Sequence, residues 1–184
     1  MLRMICLALL VSLVACGDDP LSYSAPVSIN LKAESGQVNG AAISDEKGIT
    51  TESGNPYGAF IGDAKAQIKQ DPSRIELDSL DLTLGAQSSG VTALEQVYTG
   101  DVDVLFLMND TNNTYTAGRV TSPTGTGPVE VGIQFDSDDV ADQDWPKLIG
   151  GSFKVVIRGT AATGFATKGA KADLQLTFTF SAYE

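Results

Sequence analysis

The chain has 184 residues, with 12 Lys+Arg against 23 Asp+Glu, two cysteines and no histidine. That length suits one domain, and the missing histidine excludes a Ser-His-Asp triad, a Cys-His pair and an imidazole-ligated zinc. The formal charge of −11 excludes the basic surface on which nucleic-acid binding depends.

From the start of the chain, Arg3 precedes an apolar run from Ile5 to Val14, which closes on Ala15 and Cys16 before the polar Gly17-Asp18-Asp19-Pro20. A charged start, a short apolar segment and small residues at its end form a secretory signal pattern. The run is too short to cross a bilayer, which takes about 20 apolar residues.

Leu13-Val14-Ala15-Cys16-Gly17 resembles the lipobox of bacterial lipoproteins cleaved by signal peptidase II, a resemblance covering only the first 17 residues. It implies removal of residues 1–15, a diacylglycerol on the Cys16 thiol and an acyl chain such as palmitate on the new amine. Two or more chains on one residue make detachment negligible. Gly17, where an aspartate would favour inner-membrane retention, implies the outer membrane of the cell envelope. Cys6 leaves with the leader, so the mature chain has one cysteine, capped by lipid, and no internal disulfide. A hydrophobic core must hold the domain together. Without Arg3 the balance is 11 basic against 23 acidic residues, a charge of −12. Residues 16–25, polar and without periodicity, read as a lipidated tether, and 26–184 as a single domain.

Within that domain, Val27, Ile29 and Leu31 alternate with polar residues and predict a strand. Ala59 to Gln70 sets Ile61, Ala64 and Ile68 on one helical face, and Pro72 follows. Ile75 and Leu77 sit at odd positions but Leu80, Leu82 and Leu84 at even ones, so a bulge at Asp78-Ser79 is needed to keep one face inward. Val102, Val104, Phe106 and Met108 form one face of the next strand, with Leu105 and Leu107 covering the second half of the other. Asn109–Asn113 predicts a hairpin loop into Thr114–Thr121. Ser122–Pro128 then turns into Val129, Val131, Ile133 and Phe135, giving a three-stranded meander. Asp144–Gly151 suggests a helical turn or two. Phe153, Val155 and Ile157 mark another strand, and Leu174, Leu176, Phe178, Phe180 and Ala182 a long final one. These elements predict an all-β fold, an antiparallel β-sandwich of Greek-key or immunoglobulin-like type with one or two short helices; a closed barrel is the rival.

Four constellations bear on chemistry. Gly159–Gly164 has phosphate-loop glycine spacing, but Phe165 stands where lysine is required, which excludes a nucleotide loop. Asp136, Asp138, Asp139, Asp142 and Asp144 place hard oxygen ligands at spacings compatible with calcium, although Ala141 and Lys147 break the EF-hand pattern. Asp101 and Asp103 share a strand face about 6.5–7 Å apart, as paired carboxylates for glycoside hydrolysis would. Tyr57, Tyr98, Tyr115, Trp145 and Tyr183 offer either a sugar-stacking platform or core packing. The charge also switches sign: Trp145 to Ala172 holds no acid but Lys147, Lys154, Arg158, Lys168 and Lys171. That segment is expected to lie beside the acidic loop and partly neutralise it.

The expected protein is a membrane-anchored envelope lipoprotein, a non-enzymatic binding or structural module held to the membrane through Cys16. Its partner would be an envelope protein or polysaccharide, without nucleic acid or cofactor. The alternatives are a small carboxylate-dependent envelope hydrolase and a calcium-stabilised adhesive module.

Overall fold

A computed structural model describes residues 21–52 and 54–184; Cys16 and the segment expected to be a leader lie outside the described residues. The chain folds into two antiparallel sheets packed face to face. In order, the main elements are β1 (Ser22–Glu34), β2 (Ala42–Ile49), α1 (Pro56–Ile68), β3 (Arg74–Leu84), β4 (Tyr98–Met108), β5 (Thr114–Thr121), β6 (Val129–Glu130), β7 (Gly132–Ile133), α2 (Trp145–Ile149), β8 (Phe153–Ala161) and β9 (Lys171–Tyr183). One sheet runs β1-β9-β3-β6 and the other β2-β8-β4-β5-β7. The last two long strands therefore occupy interior positions, β9 between β1 and β3 and β8 between β2 and β4. Neither sheet is complete until the C-terminal segment arrives, which makes this a fold of non-local contacts.

Alternation sets the inward faces. Val27, Ile29, Leu31 and Ala33 of β1 meet the even-numbered residues from Ala172 to Ala182 of β9, all buried. The opposite sheet supplies Ile43, Val102, Val104, Phe106, Met108, Phe153, Val155 and Ile157 to the same core. Burying each large side chain contributes about 1.5–3 kcal/mol. On β3 the register against β9 shifts between Leu77 and Ser79, so the expected bulge is present and both leucine sets point inward.

α1 starts where Asn55 accepts a hydrogen bond from the Tyr57 N–H at 3.0 Å and Pro56 fills the first turn. It ends at Lys69, whose left-handed φ of 71° stops the helix before Pro72. Its buried face, Tyr57, Phe60, Ile61, Ala64 and Ile68, plugs one end of the sandwich. There the Tyr57 ring stands edge-on to Phe153 at 5.2 Å and to Phe180 at 5.4 Å.

Three differences from the sequence expectation have physical causes. First, part of the stretch read as tether belongs to the sandwich: Ser22–Ala25 pair with Phe180–Tyr183. Tyr23 and Ala25 extend the odd-numbered face of Val27, Ile29 and Leu31 and pack against the core, and Pro26 is accommodated because β1 is an edge strand, where a proline costs no ladder bond on its outer side. Second, Val129–Phe135 does not form one strand. Val129 and Glu130 pair with β3, while Gly132 and Ile133 pair with β5, so the chain crosses between sheets at buried Val131 and leaves Ile133 exposed. Third, β2 carries Asp45 and Lys47 at positions in register with inward-facing Ile43 and Ile49. Charges at these positions of an edge strand discourage pairing with another chain, and the Asp45 carboxylate accepts the N–H of Lys32 on β1 at 2.7 Å, tying the two neighbouring edges together.

Candidate functional site

The loops gather at two ends of the sandwich. One end carries Leu21, Ser73, Glu184, the β4–β5 hairpin and residues 136–152; hydrogen bonds from Ser73 N–H to the Tyr183 carbonyl and from Glu184 N–H to the Leu21 carbonyl join its termini. The other end carries the loops 35–41, 85–97, 122–128 and 162–170.

The most developed polar site lies at the first end and centres on Asp144. Its carboxylate is completely buried, yet it accepts hydrogen bonds from Thr111 Oγ1 at 2.7 Å, Asn113 Nδ2 at 2.7 Å and Tyr115 OH at 2.8 Å. Lys147 Nζ approaches at 3.4 Å and itself donates to the Asn109 carbonyl at 2.6 Å. Burial pushes the Asp144 carboxyl upward, but these donors outweigh it and hold the group down at about 2. The ionised hub thus ties the β4–β5 hairpin to α2. Tyr115 extends it by accepting the Ala141 N–H at 3.1 Å, which fixes the acidic loop from below.

This arrangement redistributes the five aspartates considered for calcium. Asp144 turns inward to the hub, and Asp136 accepts the Asp138 N–H at 2.9 Å as the cap of a short turn. Asp138, Asp139 and Asp142 point outward. Among the described residues no three carboxylates converge on a cation-sized position.

The backbone around Phe135 carries two clefts. One, of about 330 Å³, lies between Arg74, Glu76 and Leu77 on β3 and Asp136–Asp138. The second, of about 300 Å³, lies between Thr114–Thr116 and Gln134–Asp136 with Asp139. Both are shallow and mostly polar, and Phe135, packed edge-on to Phe106 at 5.2 Å, forms the wall between them. They provide fixed hydrogen-bonding groups rather than an enclosed, apolar ligand cavity.

Asp101 and Asp103 do share the outer face of β4, but strand register supplies each with a partner. Thr121, opposite Asp101, donates to it at 2.6 Å, while Arg119, opposite Asp103, contacts Asp103 at 2.7 Å and Asp101 at 3.6 Å. From the other side Arg158 reaches Asp103 at 3.3 Å. The hydrogen bond and charge of Asp103 raise the Arg119 guanidinium further. Two carboxylates interleaved with two guanidiniums are engaged in ion pairs on a solvated strand face, whereas a glycosidase acid sits free beside the bond it protonates.

The basic segment finds its partners on neighbouring strands instead of the acidic loop: Lys154 pairs with Glu46, Arg158 with Asp103 and Lys171 with Glu34, leaving Lys147–Asp144 as the contact that follows the expectation. Cross-strand adjacency, not sequence proximity, decides these pairs. The aromatic residues are likewise dispersed. Tyr57 and Tyr98 are buried, Trp145 packs against the core, Tyr115 serves the hub, and Tyr183 lies under the Arg74 guanidinium at 4.2 Å. They form no common stacking face.

Gly159 has a packing reason: a Cβ there would stand 2.8 Å from the Tyr98 ring, which lies across β8 at that point. The Tyr98 hydroxyl is the buried side-chain polar atom that lacks a hydrogen-bond partner among the described residues. Sequence reasoning missed this ring crossing and the hub; the hub's donors Thr111, Asn113 and Tyr115 do alternate along the chain, but the carboxylate they share comes 29–33 residues later, beyond any local pattern.

Against known proteins, the chain matches no family model and no curated relative.

Proposed function

We propose that this chain is a lipid-anchored lipoprotein of the bacterial envelope, placed at the outer membrane, whose β-sandwich acts as a non-enzymatic binding or structural module. The observation that carries the reading is Cys16, set within Leu13–Gly17 at the end of an apolar run behind Arg3. The position of the folded body supports it. Leu21 already belongs to the fold, so five residue steps separate it from Cys16, an extended reach of about 17 Å. A body that close to its attachment point works at the membrane surface.

Two features weigh against the alternatives. Asp101 and Asp103, the carboxylate pair of the hydrolase reading, are engaged by Arg119 and Arg158. The inward turn of Asp144 disperses the loop on which the calcium module depended. What the body offers a protein or polysaccharide partner is rigid loops with fixed hydrogen-bonding groups.

Detergent phase separation with Triton X-114, together with intact mass, tests the anchor. The native protein should enter the detergent phase with a mass that includes acyl chains and lacks residues 1–15; Cys16→Ala should move it to the aqueous phase. Recovery of the native protein in the aqueous phase at unmodified mass refutes the proposal.

A further inference from the structure

The two ends of the sandwich differ in distance from the chain start and in chemistry. Leu21 leaves the fold beside Tyr183 and Arg74, at the end that also holds the β4–β5 hairpin, the Asp144 hub and the loop 136–152. β9 runs 13 residues from Lys171 to Tyr183, which places the opposite loops on the order of 40 Å away. We infer, on the basis of the lipoprotein reading, that the Asp144 end is the membrane-facing surface and that the loops 35–41, 85–97, 122–128 and 162–170 form the surface presented away from the bilayer.

Three observations carry this orientation. The extended reach from Cys16 to Leu21, about 17 Å, is less than half the length of β9, so the body cannot turn over and bring the far loops to the lipid while remaining upright. Nor does the sandwich have a side on which to lie flat. Among the described residues the exposed large hydrophobic side chains are Leu21 and Ile133, and Leu105 and Leu107 on the outer face of β4 are buried or half-buried, so no large apolar patch lies open to acyl chains. Leu21 itself sits where the chain leaves toward the anchor.

Charge completes the picture. The membrane-facing end exposes Asp110, Asp136, Asp138, Asp139, Asp142 and Glu184 against Arg74, a net negative group that anionic headgroups repel across a Debye length of about 10 Å at 0.1 M salt. This end stands off at the tether's reach and does not insert. The far loops, by contrast, carry Glu95 and Lys168 as their only charges in an otherwise acidic protein. They are also stapled together. The Ser35 hydroxyl and backbone exchange hydrogen bonds with Ala170 at 2.7–3.0 Å, the Leu94 N–H reaches the Gly125 carbonyl at 2.7 Å, and Glu95 accepts the Gly125 N–H at 2.7 Å. The far end is thus a charge-poor, hydrogen-bonded set of loops that points away from the membrane.

The lipid-capped Cys16 leaves no other thiol in the mature chain, so a single introduced cysteine takes a dye uniquely. The test uses full-length lipidated protein in vesicles of phosphatidylethanolamine and phosphatidylglycerol bearing a headgroup acceptor dye. Donor dye is attached at Gln143→Cys on the near end, or at Thr124→Cys or Thr163→Cys on the far end, all exposed positions. Energy transfer should be several-fold stronger from position 143 than from 124 or 163. Equal transfer from both ends, or stronger transfer from the far end, in protein that co-floats with the vesicles overturns the orientation and leaves the anchor standing. Failure of every variant to co-float removes the anchor and the orientation with it.

Discussion

Asp144→Asn replaces the buried carboxylate by an amide of the same size and asks how much the hub holds. The carboxyl is lowered from 3.8 to about 2, and at 1.36 kcal/mol per unit that depression is worth roughly 2 kcal/mol of folding stability. The amide does more than lose charge. Whichever way it is turned, its NH₂ group faces a donor, either Asn113 Nδ2 or Lys147 Nζ, and a buried mismatch of this kind raises the expected loss to about 2–4 kcal/mol near neutral pH. Because the folded-state value is depressed, the contribution is complete above the unfolded value, near 4, and disappears as pH falls through about 2. Protonating the many surface carboxylates of this acidic chain relieves repulsion at the same time, an effect common to wild type and variant. The informative quantity is therefore the gap between their urea-unfolding free energies, measured on the chain from Gly17 onward from about pH 6 to about pH 2. The gap should shrink by roughly 2 kcal/mol over that interval. A loss under about 0.5 kcal/mol at neutral pH, or a gap that stays constant into acid, refutes the hub as a stabilising element.

The unpartnered Tyr98 hydroxyl makes Tyr98→Phe neutral or stabilising by up to about 1 kcal/mol in the same denaturation assay; a large loss means that the hydroxyl has a partner the packing does not reveal. Gly159→Ala forces a methyl group against that ring and should cost about 1–3 kcal/mol, an effect that Tyr98→Ala in the same background should largely relieve in a double-mutant cycle. Addition of millimolar calcium, or of chelator, should leave the melting temperature unchanged, because the aspartates of residues 136–144 do not converge; an upward shift that saturates with calcium contradicts the geometry described for that loop.

How much of this was legible in the sequence depended on whether the determining interaction was local. Period-2 alternation marked β1, β3, β4, β8 and β9, and the parity change between Leu77 and Leu80 located a bulge before any register was known, because side chains on a strand must alternate faces. Apolar spacing and Pro72 marked α1, although its start shifted to Pro56 once Asn55 was seen to cap it. β2 escaped notice because Asp45, Glu46, Lys47 and Gly48 break the apolar pattern, which on a sheet edge is a protective feature and not a defect. The pairing of Asp101 with Asp103 on one face was legible; the arginines that neutralise them came from β5 and β8, through register alone.

The sequence by itself determined the composition-level properties: no histidine chemistry, an acidic body and enough alternating apolar residues for a two-layer core. These are additive or short-range, so they can be read along the chain. Tertiary structure alone decided that residues 129–133 divide between two sheets, that Asp144 becomes a buried anchor while its acidic neighbours face water, and that loops gather into one acidic and one charge-poor end. Each of those outcomes depends on which distant strand lies alongside, and strand partnership is fixed by the mutual burial of two whole faces, a quantity that no single segment contains.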